Sequence, residues 1–392
     1  MIIFLKMKRN PLPNTYFHLF FVIIKVMFMF GLDIRNKEDI MIRRHSFYQK
    51  ILSLFWVLYF VHTIITIITD DIYQTPTINS LIARKSNDVI AFLIWIVMKT
   101  RENKVHNLLQ HMNYLRTISD VKLHSFWIWF SVGLTFAIPL LAWLSLILFL
   151  DETYCSSLAS YYSLHLFSVP EGYSCLVSSV ALLFSHTAIY ALRTSVTVLY
   201  ITICFFLRNL LNRHSEMGLK NIEKNTNPID QKYCENYIDL YKHIIEISNI
   251  FEKVMSLPVF LITIADCMGI FYGFLKFEES KEPKKIYLVS YRFGILYIIL
   301  RSLVSFLFVT FAASSVFESS VNAKTVLEKL TERLLISGQK KDNKELLLLF
   351  LAQNKSPLIL SAWGFFNFTR SLVLSVLGVV LTYSLLMMQF VK

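Results

Sequence analysis

Charged residues are scarce in this chain of 392 residues: Asp, Glu, Lys and Arg make up 17% of it, and hydrophobic residues make up 55%. Soluble domains carry about 25% charged residues, so the composition argues against one large soluble core. The mean hydropathy of +0.52 and the long, continuous apolar runs favour a helical protein that crosses a membrane several times. The short alternating segments of a membrane β-barrel are missing.

Sequence motifs of enzymes and metal sites are missing too. The chain has no P-loop, no HExxH, no GxSxG and no paired carboxylates at the edge of an apolar span. Its five cysteines show neither CxxC spacing nor a nearby histidine pair. We therefore expect no catalytic activity, no bound metal and no cofactor. Cys155 and Cys175 fall in one loop, where they either pair, if that loop is extracellular, or remain free thiols.

The formal net charge of +12 would suggest a nucleic-acid partner in a soluble protein. Here the basic residues lie between the apolar runs, and there is neither an RNA-binding aromatic motif nor a long basic tail. Membrane topology explains the charge better. We expect lipid as a partner and no nucleic acid.

Seven apolar spans follow one another, at about 51–69, 88–100, 126–150, 176–206, 254–275, 289–316 and 371–391. The second is the weakest, because it has barely a dozen apolar positions. The fourth and sixth exceed the length that lipid requires and are expected to continue into the cytosol. Residues 16–32 are interrupted by Lys25 and lack a small-residue cleavage site, so they favour an interfacial or partly buried helix, with a signal anchor as the alternative.

The distribution of Lys and Arg predicts the orientation. With the amino terminus inside, 28 of these residues fall in inner segments and 7 in outer segments. This places the carboxyl terminus outside, opposite to a G-protein-coupled receptor. The third span does not end in Asp-Arg-Tyr, and the seventh lacks Asn-Pro-x-x-Tyr. No internal repeat supports an inverted-repeat transporter.

The last span carries the most informative pattern. Residues 371–390 are uncharged and contain Thr382-Tyr383, then five residues, then Gln389-Phe390. This pattern resembles the carboxyl-terminal motif of arthropod gustatory receptors, which are seven-transmembrane chemoreceptor ion channels. The preceding SAWGFFNFTRSLVLSVLG and the seven-span plan resemble that family more loosely. An acidic residue commonly follows Thr-Tyr in the sugar-sensing members, and Ser384 in its place makes that subgroup less favoured.

The resemblance implies an all-α tetramer whose pore is lined by the last helix, with Tyr383, Leu386, Gln389 and Phe390 as pore or gate residues. Helical spacing puts Leu386, Gln389 and Phe390 on one face. An apolar ring there would gate by dewetting, and amides would coordinate passing ions. Periodicity alone favours the simpler alternative, in which Tyr383 and Gln389 only hydrogen-bond to neighbouring helices, and it is the resemblance that favours the pore.

The resemblance also places a ligand pocket among the outer halves of the first six spans. The candidate pocket residues are mostly aromatic: His62, Trp143, Phe184, Tyr190, Phe271, Tyr272, Tyr291 and Tyr297. Aromatic residues make up 15% of the chain, so packing against protein or lipid is the simpler explanation for any single one of them.

Three charged residues lie inside spans: Arg193, Asp266 and Arg301. Charges at such depth are costly unless paired or hydrated. We expect Asp266 to pair with an arginine, which would serve either the fold or a polar ligand cavity.

The predicted organisation is a cytoplasmic segment (1–50), a six-helix ligand-binding domain (51–316), cytoplasmic assembly helices (317–360) and a pore-forming helix (361–392). In the third segment, Val326, Leu327, Leu330, Leu334 and Leu335 share one helical face that ends near Gly338, and KELLLLFLAQN (344–354) forms a second helix. A turn is expected at NTNPID (225–230).

The function implied is a gustatory, ligand-gated, non-selective cation channel of the plasma membrane. Its expected partners are a small-molecule tastant and identical or related subunits. The alternatives are a metabotropic seven-helix receptor and a small-solute transporter.

Overall fold

The computed structural model describes residues 18–34, 42–73, 78–119, 125–147, 152–164, 170–223, 231–279, 288–337 and 356–390. These ranges are almost entirely helical. The helices are α1 (His18–Met29), α2 (Ile42–Tyr73), α3 (Ile78–Thr100), α4 (Glu102–Ser119), α5 (Ser125–Ile147), α6 (Glu152–Tyr162), α7 (Glu171–His186), α8 (Leu192–Glu223), α9 (Gln231–Glu279), α10 (Leu288–Ser337) and α11 (Arg370–Phe390). A π-helical turn, Thr187–Ala191, joins α7 to α8, and strands β1 (Ser361–Ala362) and β2 (Phe366–Asn367) pair antiparallel.

Each predicted apolar span coincides with a helix: α2, α3, α5, α7 with α8, α9, α10 and α11. Within the described residues, four stretches are long and apolar enough to cross a bilayer: Phe47–Thr69, Gly172–Lys220, Tyr233–Phe274 and Arg292–Arg333. Two apolar stretches are shorter, Val132–Ile147 and Arg370–Tyr383. The helical class with several apolar helices is confirmed, and the seven-span arrangement stays a prediction.

Three long helices form the centre of the molecule. α8, α9 and α10 pack against one another, α3 and α4 lie along α9, and α5 packs against α10. Phe206, Phe251 and Phe306 are fully buried in this region. α11 packs mainly against α9 and α10. The centre therefore consists of helices that run well beyond the length that lipid needs.

α10 is a continuous helix of 50 residues, so the first helix expected between 317 and 360 is the end of α10. It ends at Ser337, next to Gly338, and Val326, Leu327 and Leu330 are buried as their spacing predicts. The side chains of Leu334 and Leu335, the predicted helix 344–354 and the predicted turn 225–230 lie outside the described residues.

α1 falls within the expected segment 16–32 and is partly buried. Ile23, Ile24 and Met27 are buried, and Lys25 is exposed. The helix ends where Gly31 adopts a positive φ of 82°, which lets the Leu32 N–H donate to the Met27 carbonyl. The end of α1 is thus fixed by a conformation that glycine adopts without strain.

A proline inside α9 creates a contact with the α3–α4 junction. Pro258 has no N–H, so the carbonyl of Val254 lacks its usual helical donor. Arg101 fills this role: its Nη1 donates to the Val254 oxygen at 2.6 Å and to the Lys253 oxygen at 3.2 Å. The guanidinium therefore fastens the start of α4 to α9.

Cys155 and Cys175 form a disulfide between α6 and α7. The hydroxyl of Ser178 donates to the Cys155 carbonyl at 2.8 Å, next to this link. Of the two alternatives that the sequence left open, pairing is therefore the one that the structure shows.

Candidate functional site

The three intramembrane charges meet in one cluster, which we call the charge triad: Arg193, Asp266 and Arg301. Oδ1 of Asp266 accepts hydrogen bonds from Nη2 of Arg193 at 2.8 Å and from Nη2 of Arg301 at 2.9 Å. The side chains are 4%, 0% and 7% exposed in the order Arg193, Asp266, Arg301. The predicted pairing of Asp266 with an arginine is present, and it involves two arginines from different helices, α8 and α10.

Two glycines let α9 and α10 approach closely beside the triad. A Cβ atom on Gly269 would lie 2.4 Å from Oγ of Ser302, and one on Gly273 would lie 2.2 Å from Cγ1 of Ile299. Gly269 is one turn beyond Asp266 on α9. The small-x-x-x-small spacing of these glycines is typical of closely packed membrane helices. Sequence reasoning missed this pair, although the spacing in the fifth span was visible.

The π-helical turn adds an aromatic ring to the triad. Tyr190 lies in this turn, and the guanidinium of Arg301 stacks over its ring, 4.7 Å from the centroid. The ring of His186, the last residue of α7, lies 5.5 Å from the ring of Tyr190. Single π-helical turns are rare and are often found at functional sites.

A polar layer extends from the triad toward α3 and α2. Nη1 of Arg193 donates to Oδ1 of Asn87 at 3.2 Å. Two other α3 residues bond to α2. Asp88 accepts a hydrogen bond from the Tyr59 hydroxyl at 2.7 Å, and Nζ of Lys85 donates to the hydroxyl of Thr66 at 2.8 Å. Sequence reasoning missed these α3 residues, which are the polar start of the weakest span.

The triad keeps unused hydrogen-bonding capacity. Nε of Arg193 and Nη1 of Arg301 are buried and have no hydrogen-bond partner among the described residues. Leaving a buried donor unpaired costs about 1–3 kcal/mol, and more for a charged group. The cluster can therefore donate to a further acceptor.

The aromatic pocket candidates divide into different environments. Tyr190 contacts the triad directly, and Tyr297 lies one turn from Arg301, with its hydroxyl donating to the Ile138 carbonyl at 2.6 Å. Trp143 donates from Nε1 to the Ser179 carbonyl at 2.9 Å, and Nε2 of His62 lies 3.2 Å from the Tyr162 carbonyl. These last two side chains tie neighbouring helices together.

The remaining candidates differ in how exposed they are. Phe184 is 60% exposed on α7, and Phe271 and Tyr272 are half-buried on α9. The side chain of Tyr291 lies outside the described residues. Tyr190 is thus the candidate with a described contact to the charge triad, and Tyr297 lies one helical turn from Arg301.

The last helix leaves most of its apolar surface uncovered. In α11, Val373 and Val380 are buried, while Leu374 is 77% and Tyr383 60% exposed. Leu386 is exposed too. Gln389 and Phe390 lie in the helix, but their side chains are outside the described residues. Of the residues expected to line a pore, Tyr383 and Leu386 are therefore not covered by the described part of the chain.

The segment before α11 is fastened to α9 and α10; we call Ser361–Asn367 the anchor hairpin. The carboxylate of Glu252 accepts from the Ser361 N–H at 3.1 and 3.2 Å and from its hydroxyl. Arg370, the first residue of α11, makes two contacts of 2.6 Å with the Glu318 carboxylate. The start of the last helix is therefore tied to both of its neighbours.

The turn of the anchor hairpin is strained. Trp363 and Gly364 have φ angles of 51° and 76°, the pattern of a type I′ turn, which bulky residues rarely adopt. The ring of Phe260 in α9 lies 4.9 Å from that of Phe365 and 5.7 Å from that of Trp363. These ring contacts hold the turn against α9. Sequence reasoning included this segment in the pore-forming helix (361–392) and missed the hairpin, whereas α11 begins at Arg370.

Comparisons with known proteins agree with this architecture. A family model described as 7tm Chemosensory receptor matches residues 86–392. The structure of the insect olfactory receptor OR5 from Machilis hrabei is similar, with a TM-score of 0.68, 14% identity and coverage of 96% of this chain and 99% of that one. Its complex with eugenol gives the same TM-score and coverage at 15% identity. No curated protein matches the sequence significantly.

Proposed function

Because the chain belongs to the seven-transmembrane chemosensory receptor family, we propose that it is a gustatory receptor that itself forms a ligand-gated, non-selective cation channel of the plasma membrane. The resemblance to insect-type chemoreceptors seen in the last span is confirmed by the family match and by the fold. The family consists of receptors, not enzymes. The Thr382-Tyr383 and Gln389-Phe390 pairs favour taste over smell.

The observation that carries the channel proposal is the uncovered last helix. An apolar helix with Leu374, Tyr383 and Leu386 exposed must meet lipid or further protein. Four copies arranged around an axis would cover this face and leave the polar groups of the helix toward a pore. Gln389 would then contribute an amide ring, with Leu386 and Phe390 as the apolar constriction.

The charge distribution and the disulfide support an inside amino terminus. In this orientation the basic residues collect on the cytoplasmic side. The Cys155–Cys175 disulfide falls on the outer side, where disulfides persist. The triad then lies toward the outer half of the membrane, and the anchor hairpin lies toward the inner side.

A gating path follows from α9, which carries both Asp266 and Glu252. These residues are 14 positions apart, or about 21 Å along a helix with a rise of 1.5 Å per residue. A ligand near the triad that moves the outer part of α9 would move the Glu252–Ser361 contact and, through it, α11. It would open the channel only by its higher affinity for the open state.

Small-molecule ligands are supported by the complex of the Machilis receptor with eugenol. For this chain we propose a small tastant that binds near Tyr190 and Tyr297, where aromatic rings lie next to charged donors. Such a mixture of apolar walls and a few polar groups is typical of small-molecule sites.

Whole-cell recording of the expressed chain against a broad tastant panel tests the proposal. We expect ligand-evoked cation currents, with changed ion selectivity or block in Gln389→Ala. Currents with unchanged selectivity, rectification and block would exclude Gln389 from the pore. Uptake without current would favour a transporter, and an epitope at the amino terminus that is accessible on intact cells would favour a metabotropic receptor.

A further inference from the structure

The charge triad carries a net positive charge, because it contains two arginines, Arg193 and Arg301, and one carboxylate, Asp266. Asp266 is shared between two arginines through a single oxygen. One positive charge is therefore left over at a depth where charge is costly.

The excess charge comes with suitably placed donors. Nη1 of Arg301 and Nε of Arg193 are buried and without a hydrogen-bond partner among the described residues. A carboxylate forms the strongest hydrogen bonds with guanidinium groups, often as two parallel bonds. Tyr190 covers one side of the Arg301 guanidinium, which provides an aromatic surface beside the charge.

We infer that Arg301 recognises the ligand and that the ligands are small organic acids with an apolar or aromatic body. This inference rests on the proposed function and specifies its ligand class. The ionised carboxylate binds the unpaired Nη1 donor of Arg301 and neutralises the triad, while the body of the ligand packs against Tyr190 and, one turn outward, Tyr297. Neutral molecules of the same shape leave the excess charge in place and bind more weakly.

Binding of a ligand carboxylate to Arg301 would also change the contacts within the tightly packed triad. The Arg301 side chain is only 7% exposed, and its present carboxylate partner is Asp266. A ligand carboxylate competes with Asp266 for the same guanidinium. Binding therefore weakens the link between α9 and α10, which supplies the difference in affinity between closed and open states that gating needs.

Matched pairs of a carboxylate and its methyl ester test the inference: phenylacetate and methyl phenylacetate, and hexanoate and methyl hexanoate, all at pH 7.4. In the wild type we expect the acid to act at lower concentration than its ester. Arg301→Gln should raise the half-maximal concentration of the acid about tenfold or more, as for a lost hydrogen bond between charged groups, and leave the ester nearly unchanged. Arg301→Lys should retain part of the preference.

Two further variants separate recognition from a merely structural role. Arg292→Gln makes the same change on the same helix nine residues away and should leave the ratio of acid to ester unchanged. Asp266→Asn removes the competitor of the ligand, so acids should act at lower concentrations, whereas a purely structural triad would lose responses to all ligands. Surface biotinylation shows whether each variant reaches the membrane.

The inference is overturned if acids and esters are equally potent on the wild type, or if the acid preference survives in Arg301→Gln. Other tastants that open the channel while acids do nothing would also overturn it and would leave the proposed function intact. Thermal stabilisation of the purified receptor by phenylacetate, without any current, would support the ligand class and contradict the channel. Inorganic phosphate should have no effect in either assay.

Discussion

The Glu252 carboxylate in the middle of α9 accepts the Ser361 N–H through both of its oxygens, at 3.1 and 3.2 Å, and also accepts a hydrogen bond from the Ser361 hydroxyl. Ser361 begins the anchor hairpin, and α11 starts only three residues after that hairpin ends. A side chain on a central helix thus holds the segment that enters the last helix. α9 is therefore bonded directly to the segment that leads into the proposed pore helix.

Weakening that link should uncouple ligand binding from opening. We expect Glu252→Gln to lower the maximal ligand-evoked current several-fold, because a hydrogen bond to a charged group is worth about 1.5–3 kcal/mol. Ligand binding at the outer end should stay within about twofold, since a bond at the inner end does not touch the site. Whole-cell recording and a binding assay on the same cells measure the two quantities.

Glu246→Gln is the matched control for this change. Glu246 also lies in α9, but its described ion pair is a loose contact of 3.8 Å with His243 on the same helix. Its maximal current should stay at the wild-type level. A Glu252→Gln channel with normal maximal current would refute the coupling.

The close approach of α9 and α10 should tolerate no added side chain. Gly273→Ala places a Cβ atom 2.2 Å from Ile299, so we expect a loss of about 1–3 kcal/mol from overpacking. The melting temperature of the receptor in detergent should fall. Gly133→Ala is the control, because a Cβ atom there meets nothing within 4 Å, and its stability should be equal or slightly higher. Equal melting temperatures for the two variants would contradict the close packing.

The Cys155–Cys175 disulfide should stabilise the outer end of α6 and α7. Closing a loop of this size contributes about 2–4 kcal/mol. We expect Cys155→Ser to reduce the amount of receptor at the cell surface, measured by biotinylation, and to leave Cys175 reactive toward a thiol reagent. Cys267→Ser removes a thiol that takes part in no disulfide and should behave as wild type. Alkylation of Cys175 in the unreduced wild type would disprove the bond.

Arg101 should contribute more to the stability of the fold than a basic residue at the surface does. Arg101→Met leaves the carbonyl of Val254 without its donor, at a cost of about 1–3 kcal/mol. Lys104→Met, an exposed change in α4 close by, should cost almost nothing. The melting temperatures of both variants check this difference. Replacing Pro258 by alanine in the Arg101→Met background should restore part of the loss, because the helix then supplies its own N–H.

The apolar spans and the partner of Asp266 could be predicted from the sequence, because lipid demands long apolar runs and penalises an unpaired charge. The end of α10 at Ser337 followed from Gly338. The partnership of Arg193 with Asn87 could not be predicted, since it depends on how α3 and α8 are rotated relative to each other. That information is not contained in hydrophobic periodicity.

The anchor hairpin escaped prediction for another reason. Its strands have only two residues each, too short for any alternating pattern. Its turn places Trp363, a bulky residue, in a left-handed conformation that sequence rules assign to glycine or asparagine. Ring contacts with Phe260, far away in the sequence, and hydrogen bonds within the turn hold that conformation. Local rules therefore fail at the segment that leads into α11.

The π-helical turn at Thr187–Ala191 inserts one extra residue into the otherwise continuous helix formed by α7 and α8. If the turn became regular α-helix, α7 would rotate by about 100° relative to α8, because one residue spans that angle in an α-helix. This rotation would move the Tyr190 ring away from the Arg301 guanidinium while the segment stays helical. Deletion of one residue within the turn should therefore give a regular α-helix in which Tyr190 no longer covers the Arg301 guanidinium.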